Sequence, residues 1–210
     1  SYPGKTTEAL SELAKKLSVY IVGGSIPEKD KNHLYNTSYI FDRKGNLIGK
    51  HRKIHLFDVA IEDGISYKES DTFTAGNNVT VFETEYCKIG TDICYDIRFP
   101  ELIRKMTLSG AEIIIIPAAF NLTTGPAHWH IIARVRALEN QVYLALISPA
   151  RDRNAKYIAY GHSLVADPWG KIISEASTIE QIIYAEIKSN YLMKIRNEFP
   201  LLKHIRTDFN

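Results

Sequence analysis

The sequence predicts a mixed α/β fold, with one mixed sheet or two stacked sheets and helices on the outside. The 210 residues are 45% hydrophobic, enough to build one compact core. The middle of the chain alternates short apolar runs with helical patterns, which implies parallel strands joined by crossover helices. The flanks contain consecutive short strands separated by turn residues, which indicates hairpins. Periodicity alone does not choose between one sheet and two.

The first half of the chain predicts one helix and five strands. Residues 6–17 have apolar side chains at helical spacing, with Thr6 or Thr7 as the capping residue. The turn RKGN, in which Gly and Asn tolerate positive φ, separates two strands and predicts a hairpin. The five predicted strands are VYIVGG, YNTSYIFD, LIGKHRK, VTVFET and KIGTDIC.

The second half predicts three helices and five strands. PELIRKMTLSG is a helix with Pro100 in its first turn and Gly110 as its terminator. HWHIIARVRALENQ (128–141) is a second helix, and NYLMKIRNEF a third. The predicted strands are AEIIIIPAAF, VYLALIS, GHSLVAD, KIISEA and IIYAEI.

Composition excludes several classes of partner. A net charge of +2 provides no strong field to attract nucleic acid or an anionic membrane. No apolar run approaches the roughly 18 residues of a membrane span. Cys87 and Cys94 do not form a disulfide framework, so a reducing cytosol is expected. A mitochondrial location stays open, because a targeting segment would precede the first residue given.

The stretch GTDICYDIRFPEL (90–102) places Cys94 where a strand passes into a helix. The positive end of a helix dipole favours thiolate over thiol, and free backbone N–H groups after the cysteine can bind an oxyanion. A cysteine that ends an apolar strand is also a common core residue. This stretch alone therefore leaves both interpretations open, while Cys87 is interpreted as a core residue.

The sequence does not single out a histidine that would act as the base for Cys94. His128 and His130 would diverge by about 200° on a helix, and no third ligand follows at metal-site spacing. No metal site is therefore predicted. His55 and His162 have no characteristic context, so a Cys–His pair remains an open alternative.

Two further charged residues are ambiguous when considered singly. In KHRKIHLFD (50–58), Lys53 precedes apolar residues, so it either extends to solvent from an apolar surface or is held as a buried cation. In YKESDTFTAG (67–76), Glu69 precedes a loop that ends in glycine, which is typical of a solvated acid. Neither stretch by itself indicates catalysis.

Taken in order, HRKIHLF, YKESDTFTAG and GTDICYDIRFPEL resemble the nitrilase, or carbon–nitrogen hydrolase, superfamily. The resemblance extends through RVRALENQ and GHSLVADPWGKII, while FNLTTGPAHW and SPARD resemble its omega-amidase branch. It implies a four-layer αββα sandwich that commonly dimerises. It also implies that residues 1–210 are a single domain without the family's first strand.

The resemblance assigns catalytic roles. Cys94 would be the nucleophile of a Glu–Lys–Cys triad, attacking the terminal amide of α-keto acid amides such as α-ketoglutaramate and α-ketosuccinamate. Ammonia would leave, and water would hydrolyse the thioester without a cofactor. Lys53 and the backbone N–H of Tyr95 would stabilise the oxyanion, and Glu69 would position Lys53. The family's general-base glutamate lies upstream of the Pro-Gly at 3–4 and is not in this chain.

The same resemblance suggests a substrate pocket. Its branch-specific loop contributes Phe120, Asn121 and Thr124. An anionic substrate also needs a cation, and the candidates are Arg98, Arg134, Arg136 and Arg151. Of these, Arg98 is expected to form a structural ion pair with Glu101.

Alternative functions remain. The chain could be another superfamily amidase, a carbamoyl-amide hydrolase or a true nitrilase, although GPAHW favours the omega-amidase branch. A non-catalytic scaffold remains open if the general base is truly missing. A homodimer or higher homo-oligomer is expected, because the helix at 128–141 and EFPLLKHIR carry apolar residues that one monomer need not cover.

Overall fold

The computed structural model describes residues 2–62, 64–206 and 208. Within them lie four α-helices, Lys5–Leu17 (α1), Pro100–Leu108 (α2), Thr124–Asn140 (α3) and Ser189–Glu198 (α4). The strands are Ile21–Val22 (β1), Ile26–Asp30 (β2), His33–Phe41 (β3), Leu47–Arg52 (β4), Asp58–Ala60 (β5), Ser66–Lys68 (β6), Val81–Glu83 (β7), Lys88–Thr91 (β8), Ile113–Pro117 (β9), Tyr143–Ile147 (β10), Leu164–Ala166 (β11) and Ile172–Glu175 (β12).

The first sheet is built around the long strand β3. Strands β1, β2 and β4 all pair with β3 in antiparallel orientation. Helix α1 covers this sheet, where Leu10 and Ala14 pack against Tyr39 and Phe41. Burial of these apolar side chains explains why the helical stripe of α1 faces the sheet.

The second sheet has the order β12-β11-β10-β9-β8-β7. Three adjacent strands, β8, β9 and β10, are parallel, and α2 and α3 form the crossovers between them. The isoleucines of β9 and leucines of β10 form the main core with the buried faces of these helices. The βαβα pattern predicted for the middle of the chain is confirmed.

The two sheets lie between the helices. On one side α1 packs on the first sheet, and on the other α2 and α3 pack on the second. The sheets meet where β4 approaches the end of β8: His51 Nε2 lies 3.3 Å from Asp96 Oδ2. The predicted mixed α/β fold with outer helices is therefore confirmed. Of the two arrangements that periodicity left open, the structure has two stacked sheets and not one mixed sheet.

The structure differs from the sequence prediction at three places. Strand β2 (IPEKD) and the hairpin β5–β6 were missed, because their charged residues obscure the two-residue alternation. Conversely, the predicted strand IIYAEI (182–187) forms no sheet pairing in the described part of the chain, and Ile182 and Tyr184 are exposed. Alternating apolar residues form a strand only where a neighbouring edge can pair with them.

None of the helices in the described ranges combines the length and the apolar character needed to cross a membrane.

Candidate active site

Cys94 lies on a strained turn at the end of β8. It begins a short 3-10 turn, Cys94–Arg98, with a φ of +50°. The left-handed region costs a residue other than glycine about 1–3 kcal/mol, and it persists where the surroundings enforce it, often at functional sites. Helix α2 begins at Pro100, as predicted, so the 3-10 turn separates Cys94 from the helix. The sharp turn directs the chain away from the sheet and leaves Cys94 in the wall of a cavity.

Opposing effects act on the Cys94 thiol. Burial raises its pKa, while the positive charge of Lys53 and the backbone N–H of Ala119 lower it. Burial has the larger effect, so the thiol form prevails at rest. Deprotonation during a reaction would depend on Lys53 and these N–H dipoles to stabilise the thiolate.

Lys53 is a buried cation held by Glu69. Its Nζ donates to Glu69 Oε2 at 2.5 Å, and both residues are less than 5% exposed. Glu69 Oε2 also accepts from the Phe57 N–H at 2.7 Å, and Oε1 accepts from Asn36 Nδ2 at 3.1 Å. Charge pairing with Lys53 and hydrogen bonds to both carboxylate oxygens of Glu69 allow this charged pair to remain in a low-dielectric interior.

The backbone of Lys53 is fixed on both sides. Its N–H donates to the Asn36 carbonyl at 2.8 Å, and its carbonyl accepts from the Gly76 N–H at 2.8 Å. A Cβ at Gly76 would lie 2.2 Å from the Arg52 carbonyl oxygen, so this approach requires glycine. The lysine is therefore held from its backbone and from its ammonium group.

Cys94, Lys53 and Glu69 line one cavity of about 680 Å³. This size is within the range of small-molecule sites. Its walls also include Phe57, Tyr95, Arg98, Phe120, Thr124, Pro149 and Tyr157. The structure thus brings together three residues that are up to 41 positions apart in the sequence, from Lys53 to Cys94.

Two backbone N–H groups lie beside the nucleophile. Tyr95 is the second residue of the 3-10 turn, where N–H groups have no partner within the turn. The Ala119 N–H interacts with the Cys94 thiol, and the Ala119 carbonyl accepts from the Tyr157 hydroxyl at 2.7 Å. Burial raises the pKa of Tyr157 to about 12, which keeps this hydroxyl a donor.

Asp96 connects the lysine segment to the cysteine turn. Its Oδ1 accepts from both the backbone N–H and Nδ1 of His55 at 2.7 Å. Its Oδ2 lies 3.3 Å from His51 Nε2, from the Ile54 N–H and from the Ile93 N–H. Ile93 precedes Cys94 and Ile54 follows Lys53, so one carboxylate fixes the two segments relative to each other.

Two buried carboxyl groups of the cysteine motif have opposite ionisation preferences. Burial favours the neutral form of Asp96, but the hydrogen bonds from His51 and His55 outweigh it and lower its pKa. Burial and the charge of Asp96 raise the pKa of Asp92 well above its usual range. The environment therefore favours the neutral form of Asp92 and the ionised form of Asp96, an arrangement that avoids two adjacent buried charges.

The predicted pocket residues have different locations. Phe120 and Thr124 line the cavity, whereas Asn121 does not. The Oδ1 of Asn121 accepts from the N–H groups of Thr123 and Thr124 at 2.9 and 2.8 Å, so it caps the first turn of α3. This cap explains why α3 begins at Thr124, before the predicted start at His128.

Among the four candidate arginines, Arg98 is the one that lines the cavity. Its guanidinium lies 4.7 Å from the Phe120 ring centroid, and its Nη1 is 3.2 Å from His128 Nδ1. The expected ion pair with Glu101 is wrong: in the part of the chain the structure describes, Arg98 pairs with no carboxylate. The other three donate to backbone carbonyls of Gly170 (Arg134), Ile97 and Arg98 (Arg136) and Tyr160 (Arg151).

No histidine of the described chain lines the cavity, so the structure gives no support to a Cys–His pair. Sequence reasoning missed Asn36, Ala119 and Tyr157. Asn36 and the Ala119 N–H lie in ordinary strand and loop sequence and carry no motif of their own. Asp96, by contrast, lies inside the cysteine motif and could have been considered as a partner.

Comparison with known proteins tests the family assignment. The carbon-nitrogen hydrolase family matches residues 1–197 of the chain. The chain belongs to the carbon–nitrogen hydrolase family. The predicted superfamily membership, the nitrilase-type α/β fold and the assignment as a hydrolase are therefore confirmed.

Curated relatives and solved structures of this family extend the similarity. The chain is 50% identical to omega-amidase NIT2 of Mus musculus and 48% identical to that of Homo sapiens, in each case over 98% of this chain and 75% of the relative. The crystal structure of Saccharomyces cerevisiae Nit3, a member of branch 10 of the nitrilase superfamily, superposes with a TM-score of 0.90. Its identity is 46%, covering 100% of this chain and 74% of Nit3.

Proposed function

We propose that the protein is an omega-amidase-type carbon–nitrogen hydrolase. It cleaves the terminal amide of small α-keto acid amides, such as α-ketoglutaramate and α-ketosuccinamate, to the keto acid and ammonia. The observation that carries the proposal is Cys94 on a strained turn in the same cavity wall as the buried Lys53–Glu69 pair. The similarity to proteins named omega-amidase supports the choice of reaction.

In the proposed reaction, the Cys94 thiolate attacks the amide carbon and forms a C–S bond. The carbonyl electron pair moves to oxygen, where the Tyr95 N–H and the Lys53 ammonium stabilise the negative charge. The C–N bond then breaks, and the nitrogen leaves as ammonia after accepting a proton. Water adds to the thioester through a second oxyanion and regenerates the thiol with release of the acid.

Lys53 is suited to electrostatic stabilisation because its charge is fixed before substrate binds. A preorganised cation in a site with few competing waters costs little reorganisation when charge develops. Glu69 holds that cation in place. Since both carboxylate oxygens of Glu69 already accept hydrogen bonds, we assign Glu69 to positioning Lys53 and not to proton transfer.

The substrate carboxylate is proposed to bind Arg98. This guanidinium faces the cavity and has no carboxylate partner among the described residues, so an anionic ligand would complete its pairing. A charge-assisted hydrogen bond to a carboxylate is stronger than one to a neutral carbonyl. Phe120 and Thr124 border the same space and would contact the carbon chain.

The remaining proposals concern assembly and location. We infer a single catalytic domain that forms a homodimer, because α3 exposes Ile131, Val135 and Leu138 along one side. Both cysteines are free thiols, as a reducing compartment such as the cytosol would leave them.

Ammonia release by the full-length protein tests the reaction. We expect turnover of α-ketoglutaramate well above that of a matched nitrile, and loss of turnover in Cys94→Ala. Good turnover of the nitrile with none of the keto-acid amide would contradict the substrate class. Activity that survives Cys94→Ala would contradict the nucleophile.

A further inference from the structure

Two histidines and a glutamate converge outside the cavity. His130 Nε2 lies 2.8 Å from Glu175 Oε1, and His162 Nδ1 lies 3.2 Å from the same oxygen. The three ligand atoms are all within 4.8 Å of one another. They come from α3, from the loop before β11 and from the last residue of β12. The three residues are separated by 32 and 13 positions, which is wider than the short ligand spacings that mark a metal motif in a sequence.

The chemistry and the spacing of these atoms match a transition-metal site. Zinc binds imidazole nitrogen and carboxylate oxygen at about 2.0–2.2 Å in tetrahedral geometry, which places neighbouring ligand atoms roughly 3.3–3.5 Å apart. Small side-chain rotations would bring the three ligand atoms, which now lie within 4.8 Å of one another, to this tetrahedral spacing. The side chains of His130, His162 and Glu175 are 34%, 25% and 35% exposed, so an ion can enter and water can occupy the fourth position.

The backbone under the cluster is constrained in an unusual way. His162 has a φ of +60°, and the preceding Gly161 has a φ of +81°. A left-handed conformation at a residue other than glycine persists only where surrounding contacts enforce it, and it is concentrated at ligand sites. The Tyr160 ring lies 4.6 Å from the His162 ring and 6.2 Å from the His130 ring, so aromatic contacts hold both imidazoles in place.

A second convergent set, His51, Asp92 and Asp96, is chemically different. These residues are completely buried, and both oxygens of Asp96 already accept hydrogen bonds from the protein. A metal would have to displace those bonds and would have no route for entry. The exposed cluster therefore fits an ion better.

We propose that His130, His162 and Glu175 bind a divalent transition-metal ion of the zinc class. The bound ion joins α3 to the loop before β11 and to the edge strand β12 of the second sheet. Next to the site, the Tyr160 N–H donates at 2.7 Å to the carbonyl of Phe120, which lines the cavity, so Tyr160 connects the cluster to the cavity wall. Metal binding at this site does not depend on the proposed amidase reaction. The bound ion stabilises the fold.

Calorimetric titration of the metal-free full-length protein with zinc chloride tests the proposal. A Cys94→Ala background removes the cavity thiol as a competing ligand. We expect one zinc ion per chain, with affinity at least tenfold weaker in His130→Ala and in Glu175→Gln. His33→Ala, which removes another surface imidazole, serves as the matched control and leaves the affinity unchanged.

Thermal unfolding provides a second measurement that does not depend on catalysis. Zinc at 100 times its dissociation constant should raise Tm by roughly 5–10 °C in the parent and in His33→Ala, but not in Glu175→Gln. Glu175→Gln keeps the side-chain shape, so its metal-free Tm shows whether the variant folds. Absence of binding below millimolar zinc, or equal affinity in Glu175→Gln, would overturn the site and leave a hydrogen-bonded His–Glu–His cluster.

Discussion

Nζ of Lys53 lies 2.5 Å from Oε2 of Glu69, and both side chains are almost completely removed from solvent. Removing one partner of a buried pair leaves an uncompensated charge, which typically costs 3–5 kcal/mol. The pair therefore does more than keep the lysine charged: it fixes where that charge lies relative to Cys94. Four predictions about catalysis, substrate binding and stability follow from this arrangement and its surroundings.

Glu69→Gln should separate the charge of the glutamate from its shape. The amide can keep a hydrogen bond to Lys53 but cannot balance its charge, so we expect kcat to fall by about 10²-fold and the protein to be destabilised by several kcal/mol. Steady-state kinetics and urea unfolding measure the two effects. The exposed Glu83→Gln is the matched control. Wild-type kcat in Glu69→Gln would show that the pair is not catalytically important.

Asp96→Asn should disturb the alignment of Cys94 with Lys53. The asparagine amide has one accepting oxygen and an NH2 group in place of the other, so at least two of the hydrogen bonds that Asp96 accepts from Ile93, Ile54, His51 and His55 are lost. We expect kcat to fall at least tenfold with KM nearly constant. The rate of Cys94 alkylation against pH should also shift, which a purely structural loss would not produce. An unchanged alkylation profile would exclude a positioning role.

Arg98→Gln should weaken binding of substrates that carry a carboxylate. Loss of one charge-assisted interaction, worth about 1.5–3 kcal/mol, lowers kcat/KM for α-ketoglutaramate by roughly 10–100-fold. An amide without the carboxylate should change by less than about threefold. Arg134→Gln, whose guanidinium donates to the Gly170 carbonyl, is the control. Equal losses for both substrates would argue that Arg98 has a structural role.

Glu28 should make the fold sensitive to acid. Burial favours its neutral form, but hydrogen bonds from Arg52, Lys50 and Thr37 outweigh burial and lower its pKa to about 2. Because the folded pKa is depressed from 4.5, its contribution of roughly 2–3 kcal/mol is complete above about pH 5 and lost as pH falls towards 2. Urea unfolding should show Glu28→Gln less stable than wild type at pH 7, with the difference vanishing near pH 2. A difference independent of pH would refute this assignment.

The sequence predicted the parts of the fold that depend on local apolar pattern. The isoleucine run of β9 and the stripe of α1 are confirmed, because both bury their apolar faces where periodicity places them. Segment 182–187 was wrongly predicted as a strand: it pairs with no neighbour among the described residues, and periodicity does not reveal whether such a neighbour exists. The start of α3 was missed because a side-chain cap by Asn121 adds a turn ahead of the apolar pattern.

The candidate site was predictable only in part. Motif order identified Cys94, Lys53 and Glu69, and the cavity contains all three. Asn36 contacts Glu69, and the Ala119 N–H contacts Cys94. Both contacts form only in the folded chain, and neither residue belongs to a motif that a sequence pattern could reveal. The ion pair expected between Arg98 and Glu101 was wrong because nearby opposite charges in sequence need not meet when one faces a cavity.

The role of Cys94 is tested most directly by asking whether it carries the acyl group during turnover. The full-length protein is mixed with α-ketoglutaramate, quenched in acid within the first turnovers and analysed by intact-protein and peptide mass spectrometry. We expect an added mass equal to the acyl group, located on the peptide containing Cys94 and absent in Cys94→Ala, which releases no ammonia. An adduct on another residue, or ammonia release by Cys94→Ala at the wild-type rate, would contradict it.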